Sequence, residues 1–244
     1  MILSILSSWG VASPVEVKVR LSKGIAPEEV LKAFQLKESD SRTRVSVLAE
    51  TPTLDLNHQG VQVRFRADER KRQIESNVKI RGINFEAKDV KCEFNVTVSG
   101  EVSECSVKET FDFDADVQKE FFPFSWQTFD LLTVKFDQIA HLFLNQAQTQ
   151  FLESQGHINW QRVLQEMTPR CYARYAVWDY SFSTWKSHLA RWEYLDGEIV
   201  FELSWRGDSK SKLNALSSLK SHIEGLGLSV DLHPVPNGGC SLQR

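Results

Sequence analysis

The sequence predicts an α+β domain built mostly from antiparallel strands, with helices inserted after the first strand, in the middle and near the end. Three observations predict it. Apolar and charged residues alternate with a period of two along several runs, as in VEVKVR (Val15–Arg20) and VQVRFR (Val61–Arg66). Short polar turns separate such runs, and Asp196-Gly197 is the strongest hairpin signal among them. Helix-period segments punctuate the strands, and no internal repeat, low-complexity tract or long linker divides the chain. At 244 residues the pattern fits one domain, residues 15–244, with a full core.

Taken in order, Val15, Val17, Val19 and Leu21 form one face of the first strand, and Glu16, Lys18 and Arg20 the other. APEEVLKAFQLK follows as a short helix, with Pro27 and two glutamates at its dipole-favoured start. TRVSVLAE is strand-like, and TPTLDLNHQG is a loop into the pair VQVRFR and NVKIR. VKCEFNVTVS and EVSECSVKETF read as a hairpin. From Thr110 to Asp130 an acidic and then an aromatic stretch (Phe121–Trp126) predicts an irregular connection over apolar surface. Thr133–Glu153 reads as one amphipathic helix with Phe136, Ile139, Ala140, Phe143, Leu144 and Ala147 on its stripe, ended by Gly156. INWQRVLQEM adds a further helical turn or two before Pro169. RCYARYAVW is a strand, and LARWEYLDGEIVFELSWRG a hairpin whose two-residue turn at Asp196-Gly197 sets Arg191 across from Glu202. KSKLNALSSLKSHIEG is the last helix, stopped near Gly225 and Gly227, and LSVDLHPV adds a final strand.

Composition narrows the function. A net charge of -3 and a pI near 6.1 argue against a general nucleic-acid binder, so any positive patch is local. No run approaches the ~18 apolar residues of a membrane span. Residues 1–14, MILSILSSWGVASP, read either as a signal-peptide remnant or as a disordered N-terminus or strand. The compartment is accordingly cytoplasmic, or periplasmic or secreted on the first of these readings. Four cysteines include no C-x-x-C pair, and six histidines show no ligand spacing. Cys92 and Cys105 stand nearly opposite each other across the Ser99-Gly100 turn, as a cross-strand disulfide or as two buried thiols.

The polar faces of the strands collect Glu16, Lys18, Arg20, Arg64, Arg66, Lys79, Arg81, Lys91, Glu93, Asn95, Arg174, Arg191, Glu193, Glu198, Glu202 and Ser204. Two arrangements satisfy this pattern. In an open sheet these charges are a solvated surface. In a closed sheet with helices outside, they line a channel, and so many cations close together require a multiply charged anion. Arginine grips phosphate oxygens bidentately, which makes a polyphosphate the natural guest, and the carboxylates would then hold Mg²⁺ or Mn²⁺ bridging it.

The order of these pieces resembles the CYTH superfamily, the triphosphate tunnel metalloenzymes that include class IV adenylate cyclases and thiamine-triphosphatase-like proteins. EVKVR partly matches the family's opening E-x-E-x-K strand. ETPTLDLNHQGVQVRFR and NVKIR match its D-T-P-like loop, its L-R-x-R-type strand and the following lysine strand. YARYAV, LDGEIVFELS and the helix after Lys210 match its late strand, hairpin and helix. The resemblance implies a closed antiparallel barrel of about eight strands with helices outside, and metal-dependent cleavage or cyclisation of a triphosphate. It implies Glu16, Glu93 and Glu202 as metal ligands, with Glu198 as an alternative, for Mg²⁺ or Mn²⁺. Lys18, Arg20, Arg64, Arg66, Lys79, Arg81, Arg174 and Arg191 would be phosphate ligands. The chain departs from the family where Lys18 replaces the second glutamate of the opening motif, Arg20 its lysine, and Ser204 the second glutamate of the late strand. The metal set is thus incomplete, the basic set is intact, and no residue is assigned a catalytic role. The expected partner is a small-molecule polyphosphate or nucleotide-like anion. The competing readings are a non-catalytic anion-binding protein on the same fold and a structural or envelope protein whose polar face is plain surface.

Overall fold

Val15, Val17 and Val19 are each at most 1% exposed, so the apolar face of the first strand, β1 (Val15–Arg20), is the one that is covered. The computed structural model describes residues 14–68, 71, 73–83, 90–112, 144–154, 159–194 and 196–232. Eight further strands follow: β2 (Arg42–Glu50), β3 (Val61–Asp68), β4 (Gln73–Arg81), β5 (Lys91–Thr97), β6 (Gly100–Asp112), β7 (Thr168–Phe182), β8 (Trp185–Tyr194) and β9 (Ile199–Gly207). They close into a barrel in the order β1-β5-β6-β4-β3-β2-β7-β8-β9, with β9 returning to β1. The closed barrel is as predicted. The sheet is mixed, because β1 pairs in parallel with β5 while every other pairing between these strands is antiparallel.

Closure sorts each strand into an outer and an inner face. One outer core joins Val47, Val63, Phe65, Ile74, Val78 and Val107 to Leu56, Phe151, Leu152, Trp160 and Val163. These last five come from helices α2 (Asp55–His58), α3 (Gln146–Glu153) and α4 (Trp160–Glu166). A second joins the β1 valines, Leu189, Phe201 and Leu203 to Val30 of α1 (Pro27–Ala33) and to Ala215, Leu219 and Ile223 of α5 (Lys212–Gly225). Apolar faces therefore meet helices, and the bore is left to the other face.

Four local readings are corrected. The expected long helix over Thr133–Glu153 begins at Gln146, where Asn145 is extended and caps it with a reciprocal Asn145–Gln148 box. Residues 133–143, including most of the expected stripe, lie outside the described residues, as do Phe121–Trp126 and residues 1–13. The loop after β2 holds the short α2, entered through Leu54 at φ 59°. In its described part, residues 228–232, the expected last strand is reduced to one bridge, Leu21 with Val230. In the β8–β9 hairpin the Tyr194 N–H donates to the Glu198 carbonyl, leaving three residues in the loop, with Gly197 at φ 84°. A left-handed glycine in a three-residue loop adds one residue to the turn, so Glu202 stands opposite Ala190 instead of Arg191.

Of the two states open to Cys92 and Cys105, the structure contains the disulfide, between directly opposed residues of β5 and β6. Cys171 is also in a disulfide, and Cys240 lies outside the described residues.

Candidate anion-binding bore

Residues directly opposed across two paired strands share a face, so the register traces the bore around the barrel. Lys18 stands opposite Ser204, and Arg20 opposite Glu202. Gln62 faces Lys79, Arg81 faces Glu104, and Glu104 faces Glu93. Leu48 faces both Arg64 and Cys171, and Ala173 faces Tyr194. A cavity of about 510 Å³ opens among these groups, lined by Lys18, Arg20, Arg64, Lys79, Arg81 and Glu202 on its charged side. Leu48, Cys171, Ala173, Trp192 and Tyr194 form an apolar stretch of its wall, and Ser46, Gln62, Asn95, Thr97 and Glu104 are among the polar groups that also border it.

Most of the cations arrive already paired. Glu16, 7% exposed, meets the Lys18 ammonium at 2.9 Å and Arg206 at 3.1 Å. Arg20 meets Glu202 at 3.3 Å, and Glu104 takes both Lys79 and Arg81. Further along the bore, Glu75 gathers Arg44, Arg66 and Lys108. Arg66 also lies 4.8 Å from the Tyr175 ring and 5.7 Å from that of Trp192. Arg64 is the exception: among the described residues it makes no ion pair or hydrogen bond, and its buried Nε has no partner. Burial, followed by the neighbouring Arg66, depresses its pKa to about 10.

No protein-family model and no curated protein sequence matches the chain. Solved structures do. A proposed adenylyl cyclase from Hippeastrum, described as having a dominant triphosphatase activity, is similar at a TM-score of 0.54 and 14% identity, over 92% of this chain and 92% of that one. A proposed adenylate cyclase from Bacillus halodurans aligns at 0.49 and 14% over 93% and 95%, and one from Vibrio parahaemolyticus at 0.43 and 13% over 92% and 95%. The chain has the CYTH fold.

Within this CYTH barrel the predicted residues divide. Glu16, Glu93, Glu202, Lys18, Arg20, Arg64, Arg66, Lys79 and Arg81 all share the inner face. Arg174 and Arg191 do not. They stand opposite Val45 and Phe201, residues of the outer face. Arg191, 5% exposed, grips Glu38 through both terminal nitrogens at 2.8 and 2.6 Å and lies over the Trp178 ring, whose Nε1 donates to the Lys37 carbonyl. It clamps the segment after α1 to the barrel. Arg174 meets Glu193 at 3.7 Å on the same side.

A divalent cation needs several carboxylate oxygens turned to one point. Among the described residues no three acidic, histidine or cysteine side chains gather in that way. Glu16 is held between two cations, and its pKa lies well below the carboxylate range because Lys18 and Arg206 outweigh its burial. The Arg206 guanidinium is also 3.9 Å from Glu93, and Glu202 faces Arg20. The donors thus serve ammonium and guanidinium groups, and they do not fit an Mg²⁺ or Mn²⁺ ion.

Sequence reasoning missed Glu75 and Glu104, the two carboxylates that neutralise most of the bore. The signal for Glu104 was present: setting Cys92 opposite Cys105 places Glu93 opposite Glu104. Around Glu104 the balance is unequal. Burial, with Arg64 and Lys18 nearby, lowers the Lys79 pKa to about 8 despite its partner. Glu104 stays ionised, because Lys79, Lys18 and Arg81 outweigh its own burial.

Proposed function

We propose that the bore binds a small-molecule phosphate, with Arg64 as the central anion-binding group and Lys18, Lys79 and Arg81 around it. The observation that carries this is the unpartnered Arg64 guanidinium on a cavity wall. Glu75 and Glu104 act on it only at a distance, and removing such a group from water without a direct partner is costly, whereas a phosphate meets its planar fork with two parallel hydrogen bonds. The fold likeness to a Hippeastrum protein with triphosphatase activity supports tripolyphosphate as the first ligand to test. Binding without turnover is the reading favoured here, because Glu16, Glu93, Glu104 and Glu202 are engaged by cations.

The test is thermal unfolding with tripolyphosphate. At about 100 times its Kd a ligand bound only by the folded state adds roughly 2.7 kcal/mol, or a rise on the order of 5–10 °C for a chain this size. Arg64→Gln is expected to abolish the rise and Arg174→Gln, on the outer face, to keep it. Binding favours the protonated form of Lys79, which predominates below about pH 8 and is lost as pH rises through that value. Affinity is therefore expected to fall by up to about tenfold between pH 7 and 9. No rise with wild type, or an equal rise with Arg64→Gln, contradicts the proposal. Phosphate release in Mg²⁺ or Mn²⁺ that depends on Glu202 would replace it with a triphosphatase.

A further inference from the structure

The two sides of the bore are patterned in opposite senses. On β1, β3 and β4 the alternation sends charge inward: Lys18 and Arg20, Arg64 and Arg66, Lys79 and Arg81. Where β7 and β8 border the cavity it sends charge outward, to Arg174, Arg191 and Glu193, and turns Cys171, Ala173, Tyr175, Ala190, Trp192 and Tyr194 toward the bore, while Asp179 and His188 share the inner face farther along. Leu48 of β2 extends this apolar wall. Cys171, Ala173, Tyr194 and Val200 form a small cluster of their own, with Leu48 and Trp192 packed against it, separate from both outer cores. The cluster does not fill the bore, because the cavity of about 510 Å³ is lined by Leu48, Cys171, Ala173, Trp192 and Tyr194 as well as by the cations. The Cys171 sulfur, already in a disulfide, adds no thiol to that wall.

Apolar surface bordering a cavity of this size gains by exchanging its contact with water for contact with an apolar guest. A guest made only of phosphate leaves this apolar stretch unused. A nucleobase would bring several donors and acceptors to a wall whose polar atoms are few, chiefly the Ser46 hydroxyl and the tips of Trp192 and Tyr194. We infer that the ligand of this bore is an organic phosphate with an extended apolar body, its head on the Arg64 side and its body along Leu48, Cys171, Ala173, Trp192 and Tyr194. This inference rests on the phosphate-binding reading above and narrows its ligand class.

The experiment is calorimetric titration of the full chain with n-alkyl phosphates from two to eight carbons, beside inorganic tripolyphosphate, ATP and octanol. Affinity is expected to rise about threefold to fourfold per added methylene while the chain lengthens within the cavity. Octyl phosphate is expected to bind more tightly than ATP or octanol, and Leu48→Ser to flatten the chain-length slope. Tripolyphosphate binding without any chain-length dependence overturns this inference and leaves the phosphate reading standing. ATP binding more tightly than octyl phosphate overturns it in favour of a base-reading wall. Octanol binding as tightly as octyl phosphate overturns it by removing the role of the head. If neither tripolyphosphate nor any alkyl phosphate binds, both readings fall.

Discussion

Glu104→Gln is expected to destabilise the protein by about 3–5 kcal/mol and, in the same molecule, to tighten phosphate binding. Glu104 is 4% exposed and holds Lys79 and Arg81 together, within the field of Lys18. Glutamine keeps the shape and removes the charge, which leaves two more cations beside the unpartnered Arg64. The apo protein then contains uncompensated buried charge, and an anion in the cavity supplies the compensation. Denaturant unfolding measures the first effect, and the tripolyphosphate-induced shift, larger than in wild type, measures the second. The acid limb carries a third signature. The Glu104 pKa is depressed in the fold, so its stabilisation is fully present above the ordinary carboxylate range and is lost as pH falls through its folded value. The variant lacks that component of the pH profile. Unchanged stability, or an unchanged response to tripolyphosphate, would contradict the electrostatics described for the bore.

Glu50→Ala is expected to cost about 3 kcal/mol or more without altering the bore. Glu50 ends β2 at 3% exposure, and its carboxylate accepts from the N–H groups of Thr51 at 2.7 Å, Leu56 at 3.0 Å and Asn57 at 2.7 Å. Three backbone donors, at Thr51 and in α2, thus depend on one side chain, and alanine leaves those of Thr51 and Leu56 buried with no acceptor. α2 in turn seats Leu56, fully buried, under β3. Chemical denaturation with Glu50→Gln as the companion variant checks this. The amide keeps one acceptor oxygen and is expected to recover part of the loss, whereas an alanine variant as stable as wild type would refute it.

Glu50 also illustrates what the sequence could and could not reveal. The strand period located β1, β3, β4, β7 and β8, because a half-buried strand sorts its residues by polarity whatever its partners are. The order of motifs was enough to suggest a closed barrel. The parallel pairing of β1 with β5 was not legible, since it joins strands some 75 residues apart and no local turn announces it. Alternation likewise distinguishes two faces without saying which is inside. That is harmless on β1 and β3, where the charged face lines the bore, and misleading on β7, where the same rule sends Arg174 outward. On β8 the error compounded, because a three-residue loop in place of a two-residue turn moved Arg191 across to Phe201. Ion pairing was least legible of all. Glu75 and Glu104 matter because of what stands beside them across β3, β5 and β6, and only the register supplies that.

Phosphate is proposed to sit in the barrel against Arg64. Soaking crystals with tungstate, a heavy tetrahedral anion of phosphate-like charge, and locating it by anomalous scattering tests this most directly. A peak is expected inside the bore within hydrogen-bonding distance of the Arg64 guanidinium and bordered by Lys79 and Arg81. Peaks confined to the outer surface, with the bore empty at saturating tungstate, would contradict it.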